Sequence, residues 1–275
     1  MANERTDDGG PLRSVGGAQF ELEFKDEFDE GILSDERWVD QYLPQWTTPE
    51  RSEARYDFDN GLRLRIDVDQ LAWREDEGPM RVSNIQTGTF SGPLGSRLGT
   101  HRHTEGLTVR TPVPVRRLWL PAREGLVEAT LQASHDPHCM LAIWLVGFEE
   151  TSPADSGEIC IAELFGQAMG HNASTVRLGV KAINDPRLHT DVVDLNVPFD
   201  ARDSHSYGAA WNADEVHFLV DGQVVRTVQQ GIAYPLQLMI GLFEFPVTPT
   251  RHGDVYPKTA LVRAVRGYRR RAEKN

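Results

Sequence analysis

Cysteine and lysine are both nearly missing from this chain. Cys139 and Cys160 are the only cysteines among 275 residues. Two are too few for a disulfide framework, and without a matching histidine pattern they do not suggest a zinc site. Strand alternation sets Cys139 with Leu141 and Ile143, opposite Trp144. If Trp144 and Cys160 both face a cleft, the two sulfurs point to different sides and cannot bond. Four lysines stand against 25 arginines, a skew of composition that by itself names no function. Positive charge is short overall, with a net charge of −12. That excludes nucleic acid and an anionic membrane surface as partners, and the basic tail 266–271 reads as a solvated end. No run is long and apolar enough to span a bilayer. Residues 1–17 are polar, rich in Gly and Asp, and lack the apolar core of a signal peptide. They are expected to form a disordered leader, followed by one domain over 18–271. The protein is expected to be a cytoplasmic monomer as written, or secreted if a leader has been removed.

Helical periodicity is weak throughout, and strand signals take its place. Phe20–Phe24, Leu62–Val68 and Gly125–Leu131 alternate apolar and polar residues. Met140–Val146 is continuously apolar, as a strand buried on both faces would be. Val216–Val220 ends in Asp221-Gly222, a hairpin turn signal, and Gln223–Val228 returns. Pro235–Phe245 and Leu261–Tyr268 complete the set. Many strands separated by Gly, Pro, Asn and Asp turns predict an all-β antiparallel sandwich or jelly roll. Residues 84–124 are the irregular part: Thr87–Gly106 holds five glycines and the run His101-Arg102-His103, and Pro112, Pro114 and Pro121 follow. Long ordered loops of this kind are either functional or flexible.

Two glutamates stand five residues apart in Gly157-Glu158-Ile159-Cys160-Ile161-Ala162-Glu163-Leu164-Phe165-Gly166. Burying a charge in an apolar run is costly, so carboxylates there call for a reason. An odd spacing puts the two on opposite faces of a regular strand. One extra residue, a β-bulge at Ile161-Ala162, returns Glu158 and Glu163 to one face with Cys160 between them. The alternative is a regular strand with one carboxylate against the core. Two carboxyls facing one cleft could act as the acid and nucleophile of a retaining glycosidase.

This segment resembles the catalytic strand of glycoside hydrolase family 16, the laminarinase-like and lichenase-like β-glucanases. The likeness extends along most of the chain. Phe24-Lys25-Asp26-Glu27-Phe28 and Leu33-Ser34-Asp35-Glu36-Arg37-Trp38 are similar to the family's opening segment. Ala142-Ile143-Trp144-Leu145 is similar to its cleft strand, and Tyr207–Val216 with Val220-Asp221-Gly222 to a later strand pair. The resemblance implies a concanavalin-like β-jelly-roll sandwich of two curved antiparallel sheets with a concave substrate cleft. It implies Glu158 as nucleophile, Glu163 as general acid/base and Trp144 as a sugar platform. It implies no cofactor, and as substrate a β-1,3- or β-1,3/1,4-glucan.

Asn84, Trp119 and Glu244 are further substrate-binding candidates, although Asn84 also suits an ordinary turn and Glu244 a rim charge. Arg177 stands where relatives place a histidine. Arg263 occupies the place of an aspartate that helps bind calcium in relatives, so no metal is expected. Cys160 replaces the family's aspartate between the two glutamates. A thiol is a weak donor and acceptor and cannot reproduce a short carboxyl–carboxylate hydrogen bond. A slow enzyme or a lectin-like binder on the same fold is therefore the alternative, and a transglycosylase would use the same two glutamates. Cys160 is not expected to act as a nucleophile, because no basic residue in its own segment would lower its pKa.

Overall fold

The structure is a computed structural model and describes residues 11–76, 78–245 and 254–272. Its first strands are β1 (Leu12–Val15), β2 (Ala18–Asp26), β3 (Arg55–Phe58), β4 (Leu62–Ile66), β5 (Arg81–Gln86) and β6 (Gly88–Thr89). The middle of the chain gives β7 (Arg116–Arg117), β8 (Gly125–Gln132), β9 (Cys139–Gly147), β10 (Glu158–Phe165), β11 (Ser174–Lys181) and β12 (Asp191–Val197). The last are β13 (His205–Trp211), β14 (Val216–Val220), β15 (Gln223–Val228), β16 (Leu236–Glu244) and β17 (Lys258–Arg270). One four-residue helix, α1 (Pro49–Ser52), interrupts them.

All of these strands except β6 and β7 form two antiparallel sheets packed face to face. One runs β1-β2-β17-β8-β13-β14-β15, with β4 joined to β17 and β3 to β4. The other runs β12-β11-β10-β9-β16-β5. The jelly-roll sandwich expected from the sequence is the fold observed. Side-chain alternation explains the layers. In β4, Leu62, Leu64 and Ile66 are buried, while Arg63 and Arg65 turn out to Asp57. β9 is buried along its whole length. Its Leu141, Ile143 and Leu145 enter the core between the sheets, and its Met140, Ala142, Trp144 and Val146 join a second cluster on the opposite face. Burying one such aliphatic side chain contributes about 1.5–3 kcal/mol, so both faces of β9 are strongly committed. The second cluster exists because Tyr42, Leu43, Trp46, Trp73, Leu107 and Val109 fold over the outer face of the six-stranded sheet.

Asp221 (φ 47°) and Gly222 (φ 72°) form the β14–β15 turn, both with positive φ as a type I′ hairpin needs. The expected leader is corrected in part. Leu12–Val15 pairs with β2 and buries Val15 beside Phe20 and Leu126, a strand too short to show periodicity; residues 1–10 lie outside the described residues. Residues 87–124 are irregular apart from the small β6–β7 ladder. Among the described residues, no helix is long and apolar enough to cross a membrane.

Candidate active site

The pairing of β10 with β9 sets the site. Glu158 lies opposite Val146 and Cys160 opposite Trp144; the register then slips, and Glu163 lies opposite Ala142. Val146, Trp144 and Ala142 all belong to the outer face. The extra residue is Ile161, and Ile159, Ile161, Ala162 and Leu164 all enter the core. The bulge thus leaves Glu158, Cys160 and Glu163 on one side of the sheet. On β11, Gly179 faces Cys160 across the bulge. Its φ of +149° and a Cβ position 2.2 Å from the Asp191 carbonyl oxygen leave room for no other residue.

One oxygen of each glutamate and the Cys160 sulfur lie within 4.8 Å of one another. The cation that holds them is Lys181, directly across from Glu158 on β11. Its Nζ is 2.9 Å from Glu158 Oε1 and donates a hydrogen bond of 2.6 Å to Glu163 Oε1. Glu158 is almost wholly enclosed, and burial raises its pKa against the opposing pull of Lys181. Burial depresses the Lys181 pKa, but Glu158, Cys160 and Glu163 outweigh it and the net direction is upward. Burial raises the Cys160 thiol well above its ordinary value, more than Lys181 lowers it. The thiol's hydrogen bond reaches the Arg177 carbonyl at 3.8 Å. It is therefore a neutral thiol and no nucleophile.

The carboxyls open into a cavity of about 240 Å³. Trp144, Tyr42, Met140 and Phe243 form its apolar side, with Met80 and Phe245 at the rim. His101 and His103 close the other side. His101 Nε2 stands 4.0 Å from Glu158 Oε2. Burial, then His103 and Lys181, lower its pKa well below the usual histidine value, so it is neutral. Its backbone N–H donates to Glu149 Oε1 at 2.5 Å. Burial pushes the Glu149 carboxyl up to about 8.

The structure brings Glu158, Cys160, Glu163 and Trp144 together and places the other candidates elsewhere. Glu244 points away from the cavity. Its neighbour Phe243 takes the outer face, so alternation sends Glu244 inward, where it meets Lys258 at 2.7 Å and Arg81 at 3.2 Å. Trp119 stacks on Phe24 at 5.0 Å, donates to Glu23 at 3.0 Å and lines a separate cavity of about 470 Å³. Its apolar ring follows the core rather than the cleft. Asn84 is on the cleft face but fully buried, and its amide donates to the Gln41 carbonyl at 3.2 Å beneath the covering segment. Arg177 is turned outward to Asp194.

The sequence by itself gives no role to Lys181, His101, His103 or Glu149. The lysine's rarity was one signal, and the His-Arg-His run in a long loop was another.

The profile of Glycosyl hydrolases family 16 matches residues 122–252. A glucan endo-1,3-beta-glucosidase of Cryptopygus antarcticus is 25% identical over 209 residues, covering 75% of this chain and 68% of its own length. Among solved structures, the GlcNAcα1-4Gal-releasing endo-β-galactosidase of Clostridium perfringens superposes with a TM-score of 0.77 at 24% identity, covering 94% of this chain. This chain spans 64% of that protein's length. The endo-β-1,3-glucanase of Pyrococcus furiosus superposes with a TM-score of 0.67 at 17% identity, over 96% of this chain and 100% of that one.

Proposed function

We propose that the chain is a retaining, endo-acting glycoside hydrolase of a β-1,3- or β-1,3/1,4-glucan, from the premise that residues 122–252 match the profile of Glycosyl hydrolases family 16. The observation that carries this reading is the pair of carboxyls on one face of β10, with oxygens within 4.8 Å, beside Trp144 in an open cavity. Retaining enzymes hold their two carboxyls about 5–5.5 Å apart, whereas inverting enzymes leave room for a water at about 6.5–9.5 Å.

In the first step a Glu158 oxygen attacks the anomeric carbon, the glycosidic C–O bond breaks, and the leaving oxygen takes the proton of Glu163. In the second, Glu163 removes a proton from water, the water oxygen attacks the anomeric carbon, and the bond to Glu158 breaks. Trp144 offers a flat apolar face to a sugar ring.

Laminarin, lichenan and a soluble galactan, each incubated with wild type, Glu158→Gln and Glu163→Gln, test the reading through reducing ends and the anomer first released. Wild type should cleave a β-glucan with the β-anomer appearing first, and each variant should lose at least about 10³-fold in kcat, since each carboxyl acts in both steps. Release of the α-anomer first would overturn retention. The buried neutral thiol of Cys160 favours a second reading, a binder with little turnover: wild type would then bind one glycan and release nothing, and Cys160→Asp would gain activity.

A further inference from the structure

The proposed double displacement moves a single negative charge back and forth. Before the first step Glu158 is ionised and Glu163 carries the proton. After it Glu158 is a neutral ester and Glu163 is the carboxylate. The second step reverses this. The sum over the two carboxyls is −1 at every stage, but its location shifts by several ångströms in a pocket where Glu158 is buried. A fixed cation against one carboxyl alone would favour one stage and hinder the next.

Lys181 Nζ touches both, 2.9 Å from Glu158 and 2.6 Å from Glu163. Resting on that reading, we propose that Lys181 is a positioning residue: the shared counter-ion of the migrating charge, which keeps Glu158 ionised in the free enzyme and Glu163 ionised in the glycosyl-enzyme. Its place is fixed by the fold. It pairs directly with Glu158 across β10 and β11, and opposite charges facing across an antiparallel pair attract. When Glu163 is protonated, Oε1 still accepts from Lys181, which leaves Oε2 to carry the proton toward the leaving oxygen.

The other groups facing the cluster do not replace it. Cys160 on β10 is a buried thiol that bonds to Glu163 and to the Arg177 carbonyl but carries no charge. His101 is held neutral by burial, and His103 lies beyond it, ring to ring at 5.2 Å. Arg177 lies across from Glu163 on β11, but its guanidinium pairs with Asp194 and rests over the Phe165 ring. The facing residues of β9, Ala142, Trp144 and Val146, carry no charge.

The test compares wild type, Lys181→Met, Lys181→Gln and Lys181→Arg on whichever of laminarin, lichenan and soluble galactan the wild type cleaves. Losing the cation leaves Glu158 beside Glu163 and the burial that both raise its pKa. The acidic limb of kcat/KM should therefore move to higher pH by about 1–3 units in the Met and Gln variants. Their kcat should fall about 10²–10³-fold, as when a preorganised electrostatic donor is removed, with KM within about threefold of wild type. Lys181→Arg should recover most of the rate, because a guanidinium can also span two carboxylates. Lys181→Gln keeps a polar N–H donor without the charge and reports the effect if the Met variant does not fold. An unmoved acidic limb with kcat within about threefold of wild type overturns the proposal, and so does failure of Arg to do better than Gln. If Glu158→Gln and Glu163→Gln keep wild-type rates, or the wild type cleaves none of the three, the two-glutamate reading falls and the lysine's role with it. If those variants are inactive while Lys181→Gln is normal, the lysine proposal alone falls.

Discussion

Glu149 shows how one loop residue stores a pH dependence. It is buried at a positive φ of 61° and accepts the His101 N–H, which holds the loop that carries His101 over the glutamates. Burial raises its pKa from the ordinary carboxylate value to about 8. The folded state therefore binds this proton more tightly than the unfolded chain. For such a group the stabilisation is full below the unfolded pKa near 4.5 and is lost as pH rises through about 8. The slope is at most about 1.4 kcal/mol per pH unit. Glu149→Gln, which keeps the acceptor and cannot ionise, should remove this slope. Urea unfolding of both proteins at intervals from pH 5 to pH 9 measures it, and parallel curves would show that Glu149 does not titrate in that window.

At the level of elements, the site depends on one inserted residue and the glycine facing it. Ile161 shifts the register of β10 so that Glu158 and Glu163 share a face, and Gly179 on β11 allows the neighbouring backbone to close against Asp191. Gly179→Ala should cost about 1–3 kcal/mol of stability, the range for a residue forced into an unfavoured backbone region. The clash with a backbone oxygen should add to this and pull β12 from the sheet edge. Chemical denaturation reads the loss, and faster amide exchange in 191–197 localises it; an unchanged midpoint would mean the edge relaxes freely.

The same element shows what the sequence could reveal. Parity within a strand is local, so the odd spacing of the glutamates, the apolar residues between them and the position of Cys160 were all legible. Register between strands is not local. Lys181 meets Glu158 only through the connection across residues 166–173, whose geometry no periodicity encodes. The strand that holds Glu244 is legible, but its phase is not: Phe243 takes the cleft face and Glu244 turns to Lys258. Trp119 and Asn84 depend on how irregular segments drape over the sheets. His101 and His103 stood out as a motif, but their reach into the cavity is a property of the folded loop.

Across the whole molecule, the two sheets meet at a buried ion cluster at one end of the sandwich. Lys258 on β17, from the larger sheet, points its ammonium at Glu244 on β16, from the smaller one, at 2.7 Å, and at Asp136 at 3.2 Å. Tyr256 donates to Glu244 at 2.7 Å, and Arg81 lies 3.2 Å from it. Burial lowers the Lys258 pKa, but Glu244 and Asp136 more than offset this and leave it raised. This accounts for a carboxylate with almost no exposed surface inside an otherwise apolar strand: two cations and a hydroxyl satisfy it. Two of the chain's four lysines, Lys181 and Lys258, thus each sit among several carboxylates at sites where strands face one another. Breaking a buried pair from one side typically costs about 3–5 kcal/mol, and because Arg81 remains beside Glu244, Lys258→Met should fall at the lower end of that range. Lys258→Met combined with Glu244→Gln should recover part of the loss, since no uncompensated carboxylate is then buried. Guanidinium denaturation of the two single variants and the double variant measures the coupling. Strictly additive losses would mean that Glu244 is satisfied by Arg81 and Tyr256 alone, and that the sheets are held together at this end by packing rather than by the lysine.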